Sequence, residues 1–429
     1  MDIAISRKKP VAGLRKHVWK SQRKILKDDV YLRKMEKLRR KLVKNLRRKL
    51  NFLLTFVLFI ACTNSNKLNI EELHTLEKTG EIKIKLNKKG LSISDHQIRE
   101  INEDIEIIRA NYGYETLSIY SLNKSKEIGI IKLDLNNLMP FFEKGGGISG
   151  FYLKGKDSLF VMNYQSDLLL IDRNTGQYLA NYNLPTSNRP NDVKIDHRFP
   201  FYITNDRIIY TSSQNNFLNK IFWEYNMINK KEKNYGEYPK FYKEKKDYLA
   251  GNWYDYLSHI MINDTILIYG HPISNNLSKL NINSKEIIEV INNYPFPRES
   301  HYTENKINNL AEEELNNLIS NTYNNYHYSN LLYDKKNKKY YRILKKPIEP
   351  KQFNSYPKPL KYWKNEIEII VYDENLKIKG KTNSFPNDYQ IGIYEQSEIF
   401  NIDNKIYVKK IPENDEYITY DIYTITEKY

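Results

Sequence analysis

Cys62 is the only cysteine among 429 residues, and it directly follows a ten-residue apolar run, Phe52–Ala61 (FLLTFVLFIA), in which Thr55 alone is polar. A lone thiol has no partner for an internal disulfide and forms no Cys-x-x-Cys pair for zinc. Its chemistry must therefore be that of one sulfur at the end of a greasy segment. The next concentration of reactive groups is Arg189–Arg198 (RPNDVKIDHR), which brings Arg189, Asp192, Asp196 and His197 together. Such a tract could face an acidic or sugar ligand, or it could be a solvated connection between strands. The remaining histidines of the body, His74, His96, His259, His271, His301 and His327, are spread over separate segments. They can meet only if the fold gathers them on a common axis. The chain has no Gly-x-Ser-x-Gly elbow and no His-Glu-x-x-His pair, and Gly145–Gly147 precedes a strand and lacks the lysine of a phosphate loop. No catalytic residue, metal site or cofactor is nominated. Trp223, Trp253 and Trp363, with some of the 36 tyrosines, could stack on glycans or simply pack between sheets.

A net charge of +16 raises the question of nucleic acid, and the distribution of charge answers it. Residues 1–61 hold 19 Lys and Arg against four acidic residues, which leaves 49 basic and 48 acidic residues for the rest of the chain. The body is close to neutral. A phosphate-gripping domain needs a clustered positive field, so nucleic-acid binding is not expected.

The excess charge belongs to the leader. A basic stretch ending at Lys49, the short apolar run and the small Ala61 form the three parts of a secretory signal. The run is too short to cross a bilayer, which takes about 20 apolar residues. Counted from Met1 the signal is overlong, whereas from Met35 it has 27 residues and begins with MEKLRRKL. Translation is accordingly expected to start at Met35, which leaves residues 1–34 outside the protein; the alternative is that residues 1–34 are an extra leader able to form a basic helix. Residues Leu58-Phe59-Ile60-Ala61-Cys62 resemble the lipobox of bacterial lipoproteins, with Phe59 in place of the usual leucine. The resemblance implies diacylglycerol on the Cys62 sulfur, cleavage before Cys62 and acylation of the new amino terminus. Two or more acyl chains hold a protein durably on a membrane where one does not.

After a polar tether over residues 62–79, the pattern from residue 80 to 429 is mostly of period two, in short runs separated by Asn, Asp, Gly and Lys turns. The segments 158–163, 168–172 and 178–182 read as a meander closed by the Asp172–Gly176 turn, in which the Asp side chain binds nearby amides and Gly supplies positive φ. Glu81–Leu86 (EIKIKL) reads as the first strand, and comparable units recur at 116–133, 199–228, 256–290, 328–385 and towards the end of the chain. The expected fold is all-β, a β-propeller of about six four-stranded blades, with a long sandwich as the rival. Radial stacking buries apolar faces that a single blade would leave exposed. One amphipathic helix is expected at 304–321, inserted between blades.

The tract Gly145–Tyr152 followed by Asp157–Phe160, and Tyr333-Asp334 followed by Tyr340–Ile343, resemble an uncharacterised lipoprotein family common in Bacteroidota. The resemblance covers most of Gly145–Tyr429. It implies export, lipidation and a six-bladed propeller, with no catalytic residue to carry over. The expected function is a non-catalytic binding or scaffold protein with an unknown protein or glycan partner. It would be lipid-anchored to the outer membrane, with the periplasmic face favoured because Thr63–Lys67 carries no acidic residue. The alternative is an enzyme acting on carbohydrate or peptide in the channel. A channel lined by several His, Asp, Glu or Arg residues would favour the enzyme, and an apolar or tyrosine-filled one the scaffold.

Overall fold

The computed structural model describes residues 70–86, 96–101, 104–110, 116–133, 148–163, 167–184, 201–211, 220–245, 257–297, 325–347, 366–386, 389, 398–410 and 416–428, besides the isolated positions 37 and 44. The chain divides into two units, Met1–Lys67 and Leu68–Tyr429, and every strand lies in the second.

The fold is all-β and propeller-like. After β1 (Glu72–Lys85), the first sheet is β2 (His96–Ile101), β3 (Asp104–Ala110), β4 (Thr116–Ser121) and β5 (Lys126–Lys132). The second is β6 (Ile148–Lys154), β7 (Ser158–Asn163), β8 (Asp167–Asp172) and β9 (Tyr178–Asn183). The third is β10 (Tyr202–Thr204), β11 (Arg207–Thr211), β12 (Lys220–Asn226) and β13 (Glu232–Glu237), followed by a single helical turn, α1 (Lys240–Glu244). The fourth is β14 (Ser258–Asn263), β15 (Ile266–Gly270), β16 (Leu277–Asn281) and β17 (Ile287–Val290). Each is an antiparallel meander in chain order.

The remaining strands are β18 (His327–Asp334), β19 (Lys339–Lys345), β20 (Ile367–Tyr372), β21 (Ile378–Thr382), β22 (Ile399–Ile402), β23 (Lys405–Lys409) and β24 (Tyr417–Glu427). With β1 they form one eight-stranded sheet, ordered β18-β19-β20-β21-β1-β24-β23-β22. Six separate four-stranded blades are therefore not what the chain builds: there are four, plus this larger sheet. The cause is β1. It runs antiparallel to β24 from His74 to Lys85, and its first residues also pair in parallel with β21, Glu72 with Lys381 and His74 with Thr382. That pairing welds two four-stranded groups into one. The edge strands of the large sheet nearly meet, since the Asn401 side-chain amide donates to the Tyr333 carbonyl at 2.7 Å. Residues 72–79, expected as tether, belong to the sheet.

Tight turns between the third and fourth strands share one device. Asp172 Oδ1 accepts the amides of Asn174 at 2.9 Å and Thr175 at 2.8 Å, and Gly176 follows at φ 72°. Asn226, Asn281 and Asp373 each accept amides from the turn that follows them in the same way. Short Asx side chains thus stand in for backbone carbonyls and fix the register of each hairpin.

The core lies between sheets rather than inside any one of them. Ile107 packs toward Ile84, Tyr407 and Tyr420, while its neighbour Ile108 packs toward Leu159 and Val161. Ile208 faces Phe160 and Met162, and Ile209 faces Leu267 and Tyr269. Ile370 packs on Ile268 and Leu277, and Ile369 packs on Ile406 and Val408. Consecutive residues of one strand therefore feed opposite interfaces, which is why the runs are apolar at nearly every position. Six such clusters close a ring, and the one that includes Ile369 packs the two halves of the large sheet against each other.

Candidate functional site

The lengths of the connections distinguish the two ends of the strands. First and second strands of each meander are joined by two to four residues, and third and fourth strands by four or five. The connections that leave the other end, between second and third strands and from one meander to the next, include 184–201, 238–257, 291–326 and 346–366. Long connections are where binding residues concentrate on a rigid scaffold.

At that end the second strand of each meander finishes on a polar residue or just short of one. The apolar runs close on Arg109, Asn163, Thr211, His271, Lys345 and Lys409. Arg109 pairs with His96, Asn163 with Ile148, Gly270 with Ser258 and Lys345 with His327. Glu398, at the head of β22, is ion-paired with Lys409 at 3.3 Å. Arg109, Asn163, Thr211, Ser258, His271, His327, Lys345 and Glu398 are all buried. Polar groups withdrawn from water in this way need partners, and most have them. The Asn163 side-chain carbonyl accepts the Asp167 amide at 2.9 Å. The Ser258 hydroxyl reaches the Gly270 carbonyl at 3.4 Å, and a His327 ring nitrogen lies 3.2 Å from the Asn325 carbonyl.

A second buried cation anchors the turn after β15. Arg342 donates from its two terminal nitrogens to the carbonyls of His271 and Ser274, each at 2.6 Å, and its guanidinium lies 4.0 Å from the centre of the Tyr328 ring. Gly270 is required here, because a Cβ on it would sit 2.6 Å from the guanidinium carbon. Tyr328 in turn donates to Asn275 at 2.5 Å, so the whole turn is held from below.

On the first strands, Tyr152, Tyr202 and His259 form a chain of aromatic contacts, with ring centres 6.5 Å and 5.5 Å apart. The Tyr202 hydroxyl donates to the His259 carbonyl at 3.3 Å and lies 3.2 Å from Nδ1 of the same residue. Burial alone pushes the His259 imidazole down to about 4, so it is neutral at physiological pH. Burial also raises the Tyr202 phenol, and it lowers the Arg109 guanidinium against a smaller opposite effect of the phenols of Tyr420 and Tyr120.

Against the sequence criterion this end is mixed: it is neither an apolar plug nor a constellation of free acids and bases. The buried acids Glu398 and Glu368 are bound to lysines, Glu398 to Lys409 and Glu368 to Lys346 and Lys381. Among the described residues no cluster could hold a metal ion. What the arrangement offers chemically is a set of donors, cations and ring faces, which suits binding.

Cys62, the tract holding Arg189, Asp192, Asp196 and His197, the expected helix 304–321, Gly145–Gly147, His301, Trp253 and Trp363 lie outside the described residues. The Arg189 tract falls within the connection between β9 and β10. Trp223 is buried between the second and third sheets, in packing rather than on a surface. His271 opens the turn after β15. Sequence reasoning missed Arg109, Lys345 and Arg342. A usable signal existed, because IEIIR, LFVMN, RILK and IYVK each end an apolar run on a polar residue at one strand position. Among the described residues no helix is long and apolar enough to cross a membrane.

Residues 84–383 match the family described as "Domain of unknown function (DUF4221)". This bears out the expected resemblance to an uncharacterised family, and the match extends upstream of Gly145. Among solved structures, a DUF4221 member from Bacteroides vulgatus ATCC 8482 is 16% identical, with a TM-score of 0.61, over 83% of this chain and all of that one. At that identity the likeness concerns the fold. A putative exported protein from Bacteroides fragilis NCTC 9343 is 11% identical, with a TM-score of 0.47, over 82% of this chain and 96% of that one. A luciferin-regenerating enzyme is 8% identical, with a TM-score of 0.40, over 81% of this chain and 95% of that one. No curated protein matches the sequence.

Proposed function

The chain belongs to the DUF4221 family, a domain of unknown function, and on that premise we propose that it is an exported, lipid-anchored, non-catalytic binding protein. Its ligand or partner would be taken up at the strand ends from which the long connections leave. One observation carries this reading: buried polar and cationic residues close the second strands on that side, while the opposite side is sealed by tight turns. Rigid sheets hold these groups in place at the strand ends, where variation in connecting segments is ordinarily tolerated.

Within this reading the large sheet works as two blades, β18–β21 and β22–β24 with β1, giving six units around the axis. The support is that the two halves pack face to face through Ile343, Ile369, Ile406 and Val408, as the other neighbouring sheets do.

The anchor is read from the leader. Cys62 after the apolar run would carry the acyl chains and hold the domain on the outer membrane, facing the periplasm. Envelope fractionation tests it. Wild-type protein should partition with membranes, and Cys62→Ser should move to the soluble fraction or stall as uncleaved precursor. A Cys62→Ser chain that is cleaved and stays membrane-bound would refute lipid anchoring. Binding itself is tested by capture of an envelope partner or a glycan with the full chain.

A further inference from the structure

We propose that the bilayer holding Cys62 lies against the tight-turn end of the sheets, which directs the end bearing the long connections away from the lipid. The proposal rests on the lipid-anchored reading and adds to it the face that meets the membrane.

The chain enters its sheet at the tight-turn end. Ile70 is 3% exposed and buried in one cluster with Leu376, in the β20–β21 turn, and with Ile378, the first residue of β21. The Glu71 carbonyl accepts the Lys381 amide at 2.9 Å, and the Leu73 carbonyl accepts the Lys428 amide at 2.9 Å. Gly380 makes this approach possible: its φ is 131°, and a Cβ on it would stand 2.9 Å from the Leu73 Cβ. From this fixed point β1 runs through 14 residues to Lys85, about 45 Å at the rise of a strand. Lys85 is followed by the connection to the first sheet, at the opposite end.

The tether is shorter than that run. Cys62 precedes Ile70 by eight residues, which reach at most about 28 Å when fully extended. A domain resting on its long connections would need the anchor to reach farther than β1 is long, and eight residues fall short. Resting on the flank beside the tether would press β1 itself onto the lipid. Its exposed residues include Glu77, Lys78, Glu81, Lys83 and Lys85, and carboxylates among them resist leaving water.

The tight-turn end fits the headgroup boundary better. Ile228, at the tip of the β12–β13 turn, is 73% exposed, and the exposed Lys230 and Lys231 follow it. An apolar tip flanked by lysines can enter that boundary while the ammonium groups stay hydrated. Lys335 and Lys336 are exposed on the β18–β19 turn, whose Lys338 is ion-paired at 3.8 Å with Glu374 of the β20–β21 turn. Asp206, Asp264 and Asp403 on other tips leave the charge of this end mixed. The short tether, rather than electrostatic attraction, therefore sets the orientation.

The mature lipidated chain, purified from the envelope and placed in vesicles of phosphatidylethanolamine and phosphatidylglycerol, tests the proposal. With the Cys62 sulfur alkylated, an introduced cysteine is the only free thiol. A fluorophore is attached at Asn229→Cys or Asn404→Cys on the tight-turn end, and at Lys132→Cys or Asn183→Cys on the opposite end, all four positions being exposed. A nitroxide carried on the lipid headgroups quenches at short range. The expected result is strong quenching at both tight-turn positions and several-fold weaker quenching at the other two. Two positions at each end keep the comparison readable if one variant misfolds. Equal quenching at the two ends, stronger quenching at the far end, or none at either end in protein that floats with the vesicles would each overturn the orientation and leave the anchor standing. Wild-type protein that fails to float with the vesicles, or that takes up the fluorophore at Cys62, would remove the anchor and the orientation together.

Discussion

Acid should weaken this fold through His259, and the size of the effect follows from its surroundings. The imidazole is 5% exposed, its Nδ1 lies against the Tyr202 hydroxyl, and Nε2 has no partner. The Tyr202 proton is directed to the His259 carbonyl, so Nδ1 is the protonated nitrogen and Nε2 the bare one. Protonating Nε2 would place an unpaired positive donor in an apolar wall. The folded value is about 4 against 6.5 for the free side chain, and each unit is worth about 1.4 kcal/mol. Because the folded value is depressed, the unfolded chain takes up the proton first. Stability is fully present above pH 6.5 and is lost as pH falls toward 4. The loss attributable to His259 at pH 4.5 is about 2.5 kcal/mol. Urea unfolding of wild type and His259→Phe at pH 7.5 and pH 4.5 measures it, since carboxylates and other histidines cancel in the difference. Phe keeps the ring contact with Tyr202 and cannot titrate. If the two proteins lose the same stability between those pH values, the argument for a neutral buried imidazole is wrong.

Ile107→Ala should cost about 3 kcal/mol in the same assay, because the side chain is fully buried between the first sheet and the large one. A change under about 1 kcal/mol would place that seam elsewhere. Arg342→Met should cost about 3 kcal/mol, since it orphans the carbonyls of His271 and Ser274 while keeping much of the volume over Tyr328. A neutral result would mean that the turn is held by Tyr328 and Asn275 alone.

Strand positions were legible wherever apolar alternation met a turn residue. The segments 158–163, 168–172 and 178–182 fall almost on β7, β8 and β9, because tight Asx turns leave the register no freedom. The first sheet was only half visible. Thr116–Leu133 reads as strands, but β2 and β3 are studded with Arg99, Glu100, Asp104 and Glu106 and do not alternate cleanly. In β1 the second half lies in Glu81–Leu86, which alternates and was legible, but the first half was hidden. That half, ELHTLEKT, is largely exposed, so its place in the sheet depends on backbone pairing rather than on burial, and a hydrophobicity pattern is silent about that. The fusion of two groups into one sheet rests on Glu72 and His74 meeting Lys381 and Thr382, more than 300 positions away. The candidate site was missed because Arg109, Lys345 and Arg342 look like ordinary strand punctuation. Only the sheet-to-sheet packing of their neighbours draws them inside.

The clasp between β1 and β24 has a consequence for how the molecule is made. Thr79 donates its hydroxyl hydrogen to the Ile422 carbonyl, across 343 positions of chain. Among the described residues β1 has no strand other than β24 to pair with along most of its length, so the circle stays open until β24 is in place. Contacts so remote in sequence carry a large closure entropy and form slowly. A chain without β24 is thereby kept open, and it locks only once that strand pairs. Losing even the last strand to a nonsense mutation or a protease would unlatch the first strand as well.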